Sequence, residues 1–202
     1  DRRAEPRDDL MSVLVHAEVD GERLTDDELV FESLLLLIGG DETTRHVIAG
    51  GLEQLLASPE QQRRVTDDRS LLGTAVEEML RWVSPIKSMA RTTTRAAELC
   101  GTSLPQGAKL VLLFEAANFD ETRFDDPDSF DITRAPNEHL AFGFGPHVCL
   151  GASLARMEIR AMLDRILDRL PDLHVTPGGE LVRTITGLHT LPLSFTPTPR
   201  SR

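Results

Sequence analysis

The 202-residue chain carries 22 Lys and Arg against 33 Asp and Glu, a net charge of −11, with 40% hydrophobic and 4% aromatic residues. That is enough apolar mass for one sizeable core or two small ones, and the acidic balance forfeits counterion-release attraction to phosphates, which argues against general nucleic-acid binding. The longest apolar runs, 34–38 and 110–114, fall far short of the roughly 20 residues a membrane helix needs, so no membrane span is expected. Two cysteines, Cys100 and Cys149, cannot build a disulfide framework and suit a reducing, cytoplasmic compartment. The opening Asp1-Arg2-Arg3-Ala4-Glu5-Pro6-Arg7 has no apolar core, so it is not a secretory signal, and without an initiator Met it reads as part of a longer protein.

Residues 1–9 are charged and irregular, 10–18 predict a short helix, and Val19-Asp20-Gly21-Glu22 a turn. Thr25 with Glu28 has the form of a capping box, opening a long helix over 26–56 that stops before Ser58-Pro59. The run 34–38 is apolar nearly all round, as in a core helix. Gly39-Gly40-Asp41-Glu42-Thr43-Thr44 at its centre works against helix propensity and calls for a reason. Shorter helices follow over 59–65 and 71–83, then strands over 86–93 and 110–114 with a hairpin between them. One or two helical turns are expected in 116–124 and irregular chain over 125–137. A Gly-punctuated loop over 140–151 leads into an amphipathic helix, 152–170, with Leu154, Ile159, Met162, Leu163, Ile166, Leu167 and Leu170 at helical spacing. The tail predicts a turn at Pro177-Gly178-Gly179 and two short strands. The fold class is mainly α with minor β.

The strongest chemical signal is Phe142-Gly143-Phe144-Gly145-Pro146-His147-Val148-Cys149-Leu150-Gly151. Gly143, Gly145 and Gly151 lack Cβ atoms, so the backbone can turn sharply and lie close to something flat. Cys149 falls at a helix N-terminus, where unpaired N–H groups and the positive dipole end favour a thiolate, a soft metal ligand. Phe142, Val148 and Leu150 are expected to keep water off it.

This segment resembles the haem-binding signature of the cytochrome P450 monooxygenases, Phe-x-x-Gly-x-x-x-Cys-x-Gly. The resemblance implies that Cys149 is the axial ligand of the iron of haem b (iron protoporphyrin IX), donating electron density that favours O–O cleavage. It implies that His147 hydrogen-bonds a haem propionate, and that Arg91, on a strand after the 71–83 helix, holds another. Glu78 and Arg81, one helical turn apart, match the family's structural Glu-x-x-Arg pair. The family's further arginine, from Pro-x-Arg-Phe, is replaced here by Ser129 in Pro127-Asp128-Ser129-Phe130, leaving Arg123 or Arg134 to substitute. Gly39-Gly40-Asp41-Glu42-Thr43 looks like the oxygen-activation segment. There the glycines admit haem and dioxygen, the Thr43 hydroxyl donates a hydrogen bond to the bound oxygen, and Glu42 relays protons.

The resemblance spans the whole chain but only the C-terminal half of the family's length: long central helix, Glu-x-x-Arg helix, small sheets, cysteine loop and following helix, as part of one domain over 1–202. It implies insertion of one oxygen atom of dioxygen into a C–H bond, with electrons from a ferredoxin and its reductase, since no dinucleotide-binding fingerprint is present. Arg156 and Arg160 are candidate ferredoxin contacts or plain solvated residues. The segments 38–46, 116–121 and 139–145 resemble actinobacterial steroid side-chain hydroxylases. Leu35, Ile38, Gly39, Thr43, Ile86, Met89 and Leu188 are the pocket candidates for a lipophilic substrate. The alternatives are a truncated, non-catalytic remnant that holds no haem, and a peroxide-driven enzyme, against which the Glu42–Thr43 pair argues.

Overall fold

The computed structural model describes residues 2–184 and 187–196. Two compact units are distinguished, residues 1–42 and 43–202.

In the first unit, α1 (Leu10–His16) is capped by Asp9, whose side chain accepts from the Ser12 N–H. A two-residue hairpin joins β1 (Glu18–Val19) to β2 (Glu22–Arg23). Asp20 and Gly21 both take positive φ there, as a type I′ turn requires. The capping box forms as the sequence predicts: the Thr25 hydroxyl accepts from the Glu28 N–H, and Glu28 accepts from the Thr25 N–H, opening α2 (Asp26–Asp41).

The continuous helix expected over 26–56 does not form. It is interrupted at Glu42 (φ −98°, ψ −36°), and a separate α3 (Thr43–Ala57) begins one residue later. Two glycines, an aspartate and two threonines in succession weaken helical continuity at this point. The core reading of 34–38 is also corrected. Leu34, Leu35, Leu37 and Ile38 are exposed, Ile38 at 61%. Inside this unit Leu29 of α2 is buried and the Ser33 hydroxyl meets Met11 Sδ of α1, whereas most of the run beyond stays open.

The second unit is built on α3, α5 and α7. After α4 (Pro59–Asp67) and a 3₁₀ turn, α5 runs Leu72–Val83 and buries Leu72, Ala75, Val76, Met79 and Leu80. It packs with Val47 and Leu55 of α3 and with Ile159, Leu163 and Leu167 of α7 (Ala152–Arg169) in one core. Gly51 is what lets α3 approach α5 so closely: a Cβ there would stand 2.8 Å from Met79 Cβ. The expected strands form as β3 (Ser88–Thr92) and β6 (Lys109–Leu113), antiparallel, with the hairpin β4 (Ala97–Leu99) and β5 (Thr102–Leu104) between them. A single short helix, α6 (Phe114–Asn118), precedes the irregular stretch. The tail holds four short strands rather than two: β7 (His174–Val175) with β10 (Leu193–Ser194), and β8 (Val182–Thr184) with β9 (Gly187–Thr190). On α7, Leu154 and Met162 are exposed, so the buried stripe is narrower than the spacing suggested.

Paired glycine substitutions test this packing. Gly51→Ala should destabilise the chain by about 1–3 kcal/mol through overpacking against Met79. Gly73→Ala, where an added Cβ meets nothing within 4 Å, should be neutral or stabilising by up to about 1 kcal/mol. Chemical denaturation midpoints of the two variants should therefore move in opposite directions.

Candidate functional site

The floor of the site is a buried charge cluster on α5. Glu78 and Arg81 have no exposed side-chain surface. Removing two ions from water costs several kcal/mol each unless every polar atom finds a partner. Arg81 satisfies all five donors. Its Nε and Nη2 donate to Glu78 at 2.8 Å each, Nη1 donates to the carbonyls of Asn118 (2.8 Å) and Pro127 (2.9 Å), and Nη2 also donates to the Ser129 carbonyl (3.2 Å). The rings of Trp82, Phe119 and Phe124 lie 5.1–5.6 Å from the guanidinium. Glu78 accepts in addition from the Asp131 N–H (2.9 Å), Asn137 Nδ2 (3.0 Å) and Arg134 Nε (3.2 Å).

The structure decides between the two substitutes for the missing arginine. Arg134 is the second cation on Glu78, and it also donates to the carbonyls of Asp125, Asp126 and Ser129. Arg123 instead pairs with Glu138 on the surface. Ser129 contributes only its backbone carbonyl to the cluster. Nearby, buried Asn118 donates to Ser84 Oγ (2.7 Å) and accepts from the Leu140 N–H (2.6 Å), tying the start of the cysteine loop to the end of α5.

The loop itself turns at Gly143 (φ +70°) and Gly145 (φ +81°), conformations that favour glycine. The Cys149 N–H donates to the Phe142 carbonyl at 2.9 Å, closing the loop, and the Cys149 carbonyl accepts from the Ala152 N–H as α7 begins. Cys149 is a free, exposed thiol two residues before the helix cap Gly151. A Cβ added at Gly151 would stand 3.9 Å from Cys149 Sγ, in ordinary contact, and one added at Gly145 would meet nothing within 4 Å. Of the expected apolar shield, Phe142 is half-buried against the core, while Val148 is exposed and Leu150 is 90% exposed. Both exposed side chains project from the far end of the loop, beyond the side-chain anchors that Asn118 and His139 give its start. His147 lies exposed on the 3₁₀ turn Gly145–His147.

A second cluster joins α5 to this loop and was not legible as such. Glu77 accepts a bidentate pair from Arg156 of α7 (2.7 and 2.9 Å) and a bond from His139 Nε2 (3.1 Å). His139 Nδ1 accepts from the Ala141 N–H (3.3 Å), so the pattern fits the Nε2–H tautomer. The Arg156 guanidinium lies 4.6 Å from the centre of the Phe142 ring. Arg156 is therefore paired with Glu77, while its side chain stays 41% exposed. Its spacing to Ile159, Leu163 and Leu167 (three, seven and eleven residues) was the available signal that it shares the buried face of α7. Burial pushes the Glu77 carboxyl up. The hydrogen bonds from His139 and Arg156, with their charges, outweigh that and lower it from 4.5 to about 2.

Arg91 stands on β3, exposed, with Nη1 donating to the Ala90 carbonyl. Met89 is exposed on the same strand, Ile86 is half-buried just before it, and Leu188 is half-buried on β9. Leu35, Ile38 and Gly39 lie exposed on α2, and Glu42 and Thr43 flank the helix break. Among the described residues no helix is long and apolar enough to cross a membrane.

A sequence profile described as cytochrome P450 matches residues 1–193, and the chain belongs to that haem-binding family. A steroid C26-monooxygenase of Mycobacterium tuberculosis is 55% identical over 98% of this chain and 55% of its own length. A methyl-branched lipid omega-hydroxylase of Mycobacterium bovis is 46% identical over 96% of this chain and 46% of its own. The chain thus spans about half the length of the curated relatives it matches. Among solved structures, substrate-free CYP109E1 from Bacillus megaterium superposes with a TM-score of 0.91 at 37% identity, covering 98% of this chain and 52% of that one.

Two measurements check the clusters. Arg134→Ala should cost about 1–3 kcal/mol by taking the donor from the Asp125 and Asp126 carbonyls and one cation from buried Glu78, whereas Arg123→Ala should stay within about 0.5 kcal/mol, as read from denaturation midpoints. Because the Glu77 carboxyl is depressed on folding, its contribution is present above the ordinary 4.5 and is lost as pH falls through that value towards about 2. A Glu77→Gln variant should show a flatter stability profile across that window.

Proposed function

We propose that this chain forms the thiolate-bearing and proton-delivering part of a haem-dependent monooxygenase, with 1–202 belonging to one domain of that enzyme. The carrying observation is Cys149: an open, free thiol at the mouth of α7, its backbone closed onto Phe142. Its donor chemistry suits haem iron. Among the described residues no three His, Cys, Asp or Glu side chains gather around a metal position, so a metal on Cys149 takes its other ligands from elsewhere, as a porphyrin supplies them. The open space at Gly145, in the loop that carries the sulfur, suits the approach of a flat group.

Haem b bound there would supply dioxygen activation, so that one oxygen atom enters a substrate C–H bond and the other leaves as water with two electrons and two protons. The residues of this chain do the rest. Cys149 holds the iron as thiolate, with its N–H committed to Phe142. His147 and Arg91 offer donors to the propionates, and the Glu78–Arg81–Arg134 cluster fixes the segment leading into the loop. Glu42 takes up a proton at the helix break and the Thr43 hydroxyl passes it on, the glycines at 39 and 40 leaving open space beside them.

The relatives' names, a steroid C26-monooxygenase and a methyl-branched lipid omega-hydroxylase, favour a lipophilic substrate oxidised at a terminal methyl group. Exposed Met89, with half-buried Ile86 and Leu188, would contribute apolar wall. The electron donor in this reading is a ferredoxin served by its reductase, and Arg160, exposed on α7, offers it a cation.

A second reading, a remnant that holds no haem, draws on the exposure of Cys149 and Leu150. Pyridine-haemochrome content of the purified 202-residue chain separates the two, stoichiometric haem excluding the remnant. In the complete gene product containing this chain, reduction under carbon monoxide should give the strongly red-shifted Soret band of sulfur ligation, lost in Cys149→Ser. Thr43→Ala should uncouple electron consumption from product with cholestenone as substrate. A Soret band indifferent to Cys149→Ser would end this account.

A further inference from the structure

Glu77 and Glu78 are adjacent, yet they serve two different faces of α5. Glu78 faces the 118–137 segment, and Glu77 faces the cysteine loop and α7. The Glu77 side grips Arg156 with a planar two-bond fork, a geometry that only arginine offers. His139, almost wholly buried, holds the same carboxylate from the other side, so Glu77 cannot swing away with its cation. Fixed in this way, the guanidinium lies over the Phe142 ring, and the Phe142 carbonyl is the acceptor for the Cys149 N–H. The Arg156 proton is held more tightly than usual, first by its hydrogen bonds to Glu77 and then, against the cost of burial, by the charges of Glu77 and Cys149. The guanidinium thus reaches the thiol's loop through Phe142, whose ring it covers and whose carbonyl holds the Cys149 N–H.

Resting on the haem-thiolate reading above, we infer that Arg156 is a positioning residue for Cys149: Glu77 and His139 clamp its guanidinium on Phe142, and from there its fixed charge stabilises electron density on the sulfur and so raises the reduction potential of the haem iron. Reducing ferric to ferrous iron adds one negative charge to the iron–thiolate unit, and a cation held nearby in a partly dry setting favours that added charge. Because the clamp is built from α5, the cation keeps its place when the loop's outer side chains move.

The test is a spectroelectrochemical titration of the ferric/ferrous couple, without substrate or ferredoxin, in the complete haem-loaded gene product containing this chain. Arg156→Gln should shift the midpoint to more negative potential. Arg165→Gln, which removes the same charge from an exposed site paired with Asp168 on the same helix, should leave it in place. An Arg156→Gln midpoint equal to that of the parent, or matched by an equal shift in Arg165→Gln, overturns the inference. Should Arg156→Gln fail to retain haem, Arg156→Lys decides. A haem-loaded lysine variant with a midpoint at or slightly below the parent's supports a role for the charge, whereas loss of haem or a midpoint raised above the parent's overturns it. If the parent protein itself takes up no haem, it is the functional reading that fails, so the two failures are distinguishable.

Discussion

Two opposite charges with no exposed surface, Glu78 and Arg81, set the terms for everything around them. Such a pair is tolerable only when its remaining donors and acceptors are met, and here they are met by chain that has no regular structure of its own: the carbonyls of Asn118, Pro127 and Ser129 and the N–H of Asp131. The irregular segment that follows α6 is therefore ordered by the electrostatic needs of a helix far from it in sequence. Loss of any one partner leaves a charge exposed to a low-dielectric interior, which makes the arrangement close to all-or-none.

The neighbouring carboxylate extends the same logic to the other side of α5. Glu77 fastens Arg156 and His139, and with them Phe142 and the first turn of α7. Two successive residues on a helix point about 100° apart, so one short helix can brace the cysteine loop from the side of its approach and from the side of its exit. The three-helix core of α3, α5 and α7 gives this brace its stiffness, with Gly51 allowing the close crossing against Met79. The Cys149 loop benefits from such an arrangement, because its later residues have few side-chain anchors of their own.

Against this rigid interior stand several apolar surfaces without cover: the 34–38 face of α2, Val111–Leu113 of β6, and Phe144 and Leu150 of the cysteine loop. Their exposure accords with a chain that matches only about half the length of its relatives. Burial of this kind depends on partners distant in sequence, so a local pattern that reads as core, as 34–38 did, need not find its cover within the chain at hand.

Local chemistry was enough for much of the fold. The capping box at Thr25, the helices over 59–67 and 72–83, the paired strands around Cys100-Gly101, and the helix from Ala152 all follow from propensity, turn residues and periodicity, which act over a few neighbours. The cysteine loop and the Glu78–Arg81 pair were legible for the same reason, as compact runs of residues. Long-range contact decided the rest. That Arg134 rather than Arg123 completes the charge cluster, that Arg156 turns inward to Glu77, that the long helix gives way at Glu42, and that the apolar run of α2 lies open are outcomes of which distant atoms meet. A sequence lists donors, acceptors and apolar faces one by one, whereas only the folded backbone brings an arginine within reach of a carboxylate fifty-six or seventy-nine residues away.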